Sequence, residues 1–212
     1  MNGARFAGVR IGLLGGSFNP AHEGHLHISD QALKRLGIDM LWWLVSPQNP
    51  LKTTAGMAAH DRRVKAARAM VRHPRIIVTG IEAELGTRFT ADTLLALSQR
   101  FPRAHFIWIM GADNLGQIPA WDRWQAIFDT VCVAVFARPS YSLSALGGLA
   151  AARYRRYRHT ERKGHGLADR CTRDGPPAWA FVPMPLRHIS ATEIRARNNS
   201  AVCHDMAEAA ND

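Results

Sequence analysis

An apolar run at residues 9–14 passes directly into Gly-Gly-Ser-Phe-Asn-Pro-Ala-His-Glu-Gly-His at 15–25, and an amphipathic stretch at 26–36 follows without a break. That order predicts a buried strand, a tight glycine loop and a helix. Gly15 and Gly16 let a backbone approach a ligand closely, and the start of the helix carries positive partial charge. His22 and His25 stand three apart at that start, so they share one face and can donate hydrogen bonds to phosphate oxygens. Gly37 closes the helix, with Lys34 and Arg35 in its last turn complementing the dipole. A chain built on this unit is directed to an α/β fold that holds an anion at the end of a strand.

The alternation continues along the chain. Strands are expected at 9–14, 40–46, 75–79, 104–110, 131–136 and 179–182, several of them Val-, Ile- and Trp-rich runs suited to a sheet covered on both faces. Helices are expected at 24–36, 57–72, 90–100, 121–129, 143–157 and 190–197, and Pro74 and Pro102 each follow a helix they could not continue. The pattern predicts a Rossmann-like open parallel sheet with helices on both faces, joined by right-handed crossovers. Ligands of such sheets bind beyond the carboxyl ends of the strands, where the 15–25 loop departs. No repeat or linker divides the chain, so residues 1–197 read as one domain and 198–212 as a frayed tail. The Arg- and Gly-rich segment 141–177 reads as a surface excursion, and Trp42 and Trp43 as packing residues.

Composition narrows the function classes. With 47% hydrophobic and 21% charged residues, the 212-residue chain is an ordinary globular protein able to bury a large core. No apolar run nears the roughly 20 residues that a membrane span requires, and a cleaved leader would remove the first strand. No membrane partner and a cytoplasmic location are therefore expected. Cys132, Cys171 and Cys203 lie far apart in the chain and read as reduced thiols. A net charge of +10 favours an anionic partner, either nucleic acid or a phosphate-rich small molecule. Six basic residues between Arg153 and Lys163 supply much of that excess. Interleaved with Tyr154 and Tyr157, they suit single-stranded nucleic acid or, more commonly, a solvated helix face.

Two constellations point to chemistry. At the first, His22, His25 and His27 could bind a metal given a well-placed further ligand, or the first two could serve only as helix-start residues. Contact with phosphate is favoured over both, because the glycine loop and the helix dipole converge on the same spot. His27 lacks that support and reads as a surface or packing residue. The second constellation is His188, Ile189, Ser190, Ala191, Thr192, Glu193, Ile194 and Arg195. Ser190 with Glu193 forms a capping box, and the same helix start, with two hydroxyls and Arg195 one turn on, makes a second phosphate cradle.

Together these segments resemble the two signatures of the nucleotidyltransferase family that carries a His-x-Gly-His motif, here at 22–25. The Ile-Ser-x-Thr-x-Ile-Arg pattern at 189–195 is similar to that of its nicotinate- and nicotinamide-mononucleotide adenylyltransferases. Pro-Leu-Lys at 50–52, Arg-Phe-Thr at 88–90, Gly-Ala-Asp-Asn-Leu at 111–115, Ile-Pro-Ala-Trp at 118–121 and Ala-Arg-Pro at 137–139 look like further segments of the bacterial nicotinate-mononucleotide enzymes. They occur in the family's order, although Phe89 stands where a tyrosine is common.

The resemblance implies the nucleotidyltransferase form of the fold and transfer of the adenylyl group of ATP to nicotinate mononucleotide, giving deamido-NAD and pyrophosphate. It implies His22, His25, Lys52 and Arg195 as catalytic residues. It implies Gly15, Gly16, Ser17, Phe18, Gly24, Gly111, Asp113, Ile189, Ser190 and Thr192 as contacts to ATP, and Asn19, Thr90, Trp121 and Arg138 as contacts to the mononucleotide. Mg²⁺ is expected with ATP, and no metal held by the protein itself. Read without the resemblance, Lys52 is equally a solvated loop cation and Asp113 an N-cap of a 114–117 turn. Trp121 with Trp124 is equally a core face, where Trp124 is expected to lie. The alternatives within the class are nicotinamide-mononucleotide and pantetheine-phosphate adenylyl transfer. Outside it stands a basic RNA-binding protein, which the coincidence of two phosphate motifs disfavours.

Overall fold

A computed structural model describes residues 3–47, 57–138, 142–160 and 166–184. Seven strands form its sheet: β1 (Arg10–Gly16), β2 (Met40–Val45), β3 (Ile76–Thr79), β4 (His105–Gly111), β5 (Cys132–Phe136), β6 (Arg158–His159) and β7 (Trp179–Val182). Their spatial order is β3-β2-β1-β4-β5-β7-β6, and every neighbouring pair is parallel. From β1 the chain steps outward through β2 to β3, then returns to place β4 on the other side of β1. The reversal between β1 and β4 opens a crevice at the carboxyl ends of those two strands.

The strands read as unbroken apolar runs because both faces are covered. Trp42 and Leu44 of β2 point into one core with Leu13, Trp108 and Val133, while Leu41, Trp43 and Val45 point into the other with Leu14, Ile109 and Ala134. Helices α4 (Thr90–Arg100), α5 (Ala112–Gln117) and α6 (Trp124–Thr130) cover the first face. Helices α1 (Glu23–Arg35) and α2 (His60–Met70) cover the second. Trp42 and Trp43 are fully buried and Trp124 is buried, as their apolar surroundings suggest.

Several local readings are corrected. The expected helix at 143–157 is split into α7 (Ser142–Leu146), α8 (Leu149–Arg153) and a 3-10 turn at Arg155–Tyr157, because Gly147 and Gly148 interrupt it and Gly148 caps α8 in an extended conformation. The segment 141–177 is not a surface excursion. It contributes β6 to the sheet, seats Tyr154 against Phe128, and folds a helix at Leu167–Asp174, α9, whose Leu167, Ala168 and Cys171 are buried against the second face. Arg10 fastens this helix to the start of β1, bonding Asp39 and Asp169 at 2.8 Å each. A short helix, α3 (Ile81–Leu85), follows β3 at once, and Asp113 lies in a full turn of α5 rather than capping a shorter one. The helix expected at 121–129 begins only at Trp124, so Trp121 and Trp124 do not share a face. Cys132 and Cys171, remote in sequence, are both buried free thiols in the core of the second face, and Cys171 Sγ–H donates to the Phe106 carbonyl at 3.8 Å. The expected helix at 190–197 and the tail at 198–212 lie outside the described residues.

Candidate active site

The end of β1, just before the loop to α1, carries a glycine that the packing requires. A Cβ on Gly15 would lie 2.3 Å from the ring of Trp108 in β4, so only hydrogen fits there. Three residues on, Phe18 takes a left-handed φ of 46° and buries its ring, stacked on Trp43 at 4.9 Å and lying 4.6 Å from His25. Trp43 is held in turn by its Nε1–H, which donates to Ser29 Oγ at 2.8 Å. The hydrophobic core therefore supplies the floor on which the first histidine pair rests.

His22 and His25 form the cap of α1 themselves. The Gly24 N–H donates to Nδ1 of His22 at 3.1 Å, and the His22 N–H donates to Nδ1 of His25 at 3.2 Å. This is a capping box with imidazoles in place of a hydroxyl and a carboxylate. Because each Nδ1 accepts, each neutral ring carries its proton on Nε2, the atom directed away from the cap. The two rings lie 3.9 Å apart. Burial, and then the charge of Arg138, hold His22 below the usual histidine range, so it stays a neutral donor near neutrality. The same geometry takes up the Gly24 N–H inside the protein, so Gly24 serves the cap.

Across the crevice, Arg138 follows β5 and its Nε stands 3.5 Å from Asp113 Oδ1. The pair lies over Gly111, where a Cβ would come within 2.3 Å of Asp113 Oδ1 and 2.7 Å of Arg138 Nε. Gly111, Asp113, Arg138 and His22 thus converge at the switch point. Farther along the carboxyl edge, Thr90 begins α4 and half-buried Trp121 ends the Ile118–Ala120 turn, packed on the core. An ion pair of Arg123 with Asp92 ties the Trp121 segment to the first turn of α4. Asn19 uses its side-chain oxygen to accept from the Ala58 N–H at 3.2 Å, tying the loop to the approach to α2. His27 lies one turn along α1, partly buried. Among the described residues no three His, Cys, Asp or Glu side chains are grouped to hold a metal ion. Lys52, Ile189, Ser190, Thr192 and Arg195 lie outside the described residues.

Two residues of this region carry no recognisable motif. Glu82, in α3 beyond the end of β3, is buried; burial raises its carboxyl to about 7, against the lowering effect of hydrogen bonds from Ser46 and Thr93. Arg63 of α2 is buried beneath the loop and bonds the Ser17 carbonyl. An acidic residue beyond a strand and an arginine in a basic helix look like solvated surface until the long-range packing is known.

A parallel sheet with a glycine loop, a helix N-terminus and two imidazole donors at its switch point defines a nucleotide-phosphate-handling protein. The cytidylyltransferase-like family model matches residues 13–197, and the chain belongs to that family. It is 53% identical over 190 residues to the probable nicotinate-nucleotide adenylyltransferase of Parvibaculum lavamentivorans, covering 90% of this chain and 92% of that protein. It is 50% identical over 189 residues to the protein of the same description from Methylorubrum extorquens, covering 89% of this chain and all of the other. The nicotinic acid mononucleotide adenylyltransferase of Plasmodium falciparum, solved with NaAD, shares the fold. Its TM-score is 0.65 at 16% identity, over 89% of this chain and 83% of that one.

Proposed function

We propose that this chain transfers the adenylyl group of MgATP to nicotinate mononucleotide, forming deamido-NAD and releasing pyrophosphate. A phosphate oxygen of the mononucleotide attacks the α-phosphorus of ATP, and the bond from that phosphorus to the bridging oxygen of the β-phosphate breaks. The attacking phosphate is already ionised, so no protein nucleophile is needed; catalysis rests on alignment and on stabilising phosphate charge. The observation that carries this reading is the His22–His25 pair, two Nε2–H donors at the N-terminus of α1 beside the switch-point crevice. The names of relatives at 50–53% identity support the choice of substrate.

In this reading His22 and His25 hold the ATP phosphates, with His25 nearest the reacting phosphorus, and Gly15, Gly16, Ser17 and Phe18 line the phosphate path. Gly111 and Asp113 hold the adenosine, while Asn19, Thr90, Trp121 and Arg138 face the mononucleotide. Lys52 and Arg195, assisted by Ser190, Thr192 and the magnesium of MgATP, neutralise the leaving pyrophosphate, and Ile189 contacts ATP. The described crevice offers imidazoles, amides and a guanidinium, with its one carboxylate already beside Arg138. Such a set suits phosphate oxygens better than a hard divalent cation, so magnesium enters as part of the MgATP substrate. We take residues 1–197 as one catalytic domain acting in the cytoplasm, a setting that suits the free thiols of Cys132 and Cys171.

Pyrophosphate release from MgATP, measured with nicotinate mononucleotide and with its nicotinamide form, tests the proposal. Strong preference for the acid is expected. Preference for the amide would replace the substrate, and silence with both would overturn adenylyl transfer.

A further inference from the structure

Arg63, in the first turns of α2, is 3% exposed, and none of its partners among the described residues is a carboxylate. Its Nη1 donates to the carbonyls of Ser17 at 2.5 Å and Ser46 at 2.8 Å. Its Nη2 donates to the carbonyl of Pro47 at 2.8 Å, and its Nε to that of Ala58 at 2.9 Å. One planar fork thereby gathers the loop after β1, the end of β2 and the entry to α2. A buried cation without a counter-charge is costly, and it persists here because its N–H groups meet carbonyl dipoles.

The Ser17 contact has a directional consequence. A trans peptide points its C=O and N–H in opposite directions. Holding the Ser17 oxygen on Arg63 therefore turns the Phe18 N–H to the other side of the loop. Phe18 itself, at φ 46°, is in a conformation that a non-glycine residue keeps only when its surroundings over-determine it. Arg63 beneath it and Trp43 against its ring do so from two sides.

We propose that Arg63 is a positioning residue for adenylyl transfer: it fixes the Ser17–Phe18 peptide so that the loop presents its N–H groups to the triphosphate, which Arg63 does not touch. This inference rests on the reading of the 15–25 loop as the ATP-phosphate site. It goes beyond that reading by assigning the loop's geometry to a residue outside every motif.

The test is steady-state pyrophosphate release by wild type, Arg63→Lys and Arg63→Ala, varying ATP and mononucleotide separately, with circular dichroism reporting folding. Lysine keeps the charge but supplies three donors and no planar fork. Arg63→Lys is expected to lower kcat/KM for ATP roughly tenfold or more while KM for the mononucleotide changes by less than about twofold. Methylguanidinium is expected to restore part of the activity of Arg63→Ala, and methylammonium is not. A folded Arg63→Lys with wild-type KM and kcat for ATP overturns the proposal, as does an equal rise in both KM values. If Arg63→Ala does not fold, Arg63→Lys decides alone; if neither folds, Arg63 serves the core and the proposal falls. A wild-type protein that releases no pyrophosphate overturns the adenylyl-transfer reading and this inference with it, whereas the other outcomes overturn the inference alone.

Discussion

Gly15→Ala tests how closely β4 backs the phosphate loop. Gly15 lies within β1, whose extended backbone alanine adopts freely, so the perturbation is steric. The new Cβ would stand 2.3 Å from Trp108 Cη2 and 3.2 Å from Cζ2 and Cζ3. Carbon atoms settle near 3.5–4.0 Å, so the indole or the strand must yield by more than ~1 Å. The indole is 4% exposed and packed in the core, with no flexible end to swing aside. Overpacking of this kind costs about 1–3 kcal/mol, which for a chain of this size lowers Tm by roughly 2–12 °C. If β1 yields instead, Ser17 and the His22–His25 pair move with it, and a displacement of ~1 Å lowers kcat/KM for ATP on the order of 10²-fold. Calorimetry and pyrophosphate release measure the two effects. Adding Trp108→Leu removes the clashing ring, so the Gly15→Ala penalty should shrink by about 1–2 kcal/mol in the double-mutant cycle. A Gly15→Ala protein with unchanged Tm and unchanged kcat/KM would refute the close-approach argument.

Three further outcomes are expected. His25→Ala should lower kcat by roughly 10²–10³ while far-UV circular dichroism stays native; near-normal turnover in the folded variant would remove the phosphate role. Trp121→Ala should raise KM for the mononucleotide more than KM for ATP, and equal effects would withdraw its assignment to the mononucleotide. Glu82→Gln addresses pH. The folded carboxyl, raised to about 7 from 4.5, keeps a proton that the unfolded chain has already lost. Wild-type stability relative to Glu82→Gln should therefore fall as pH rises between those values, by roughly 3 kcal/mol, and stay lower above them. Urea melts at about pH 5 and about pH 8 check this, and a difference independent of pH would count against it.

Six of the seven strands were legible because they carry their own signal: Val, Ile and Trp runs reveal a doubly covered strand without knowledge of its neighbours, whereas the Arg-His pair of β6 carries none. The 15–25 loop was legible for the same local reason. What escaped depends on distant partners. Helix α9, with exposed Arg173 and the paired Arg170 and Asp174, looks solvated until the sheet against which Leu167 and Cys171 pack is in place. The split of 143–157 turned on whether two glycines sit inside a helix or end one, which tertiary packing decided. His22 and His25 were found by type and spacing, but their use of Nδ1 for capping was not, because serine, threonine and aspartate are the residues that ordinarily signal a cap. Arg63 and Glu82 escaped entirely, since burial of a charge is a property of the whole fold.

The imidazole cap of α1 joins two demands that most enzymes keep separate. The Nδ1 atoms that start the helix belong to the same rings whose Nε2–H groups face away from it, so in the proposed reaction stability and turnover would draw on the same side chains. Protonation of His25 places a hydrogen on the nitrogen that must accept from the His22 N–H. That hydrogen takes the place of the capping bond, so the proton state of the ring and the start of α1 are linked through one nitrogen. Replacement is constrained in the same way: asparagine at either position retains an acceptor for the cap but has no second nitrogen to reach the nucleotide. A replacement must accept from a backbone N–H with one atom and donate beyond the cap with another, which imidazole does across one rigid ring.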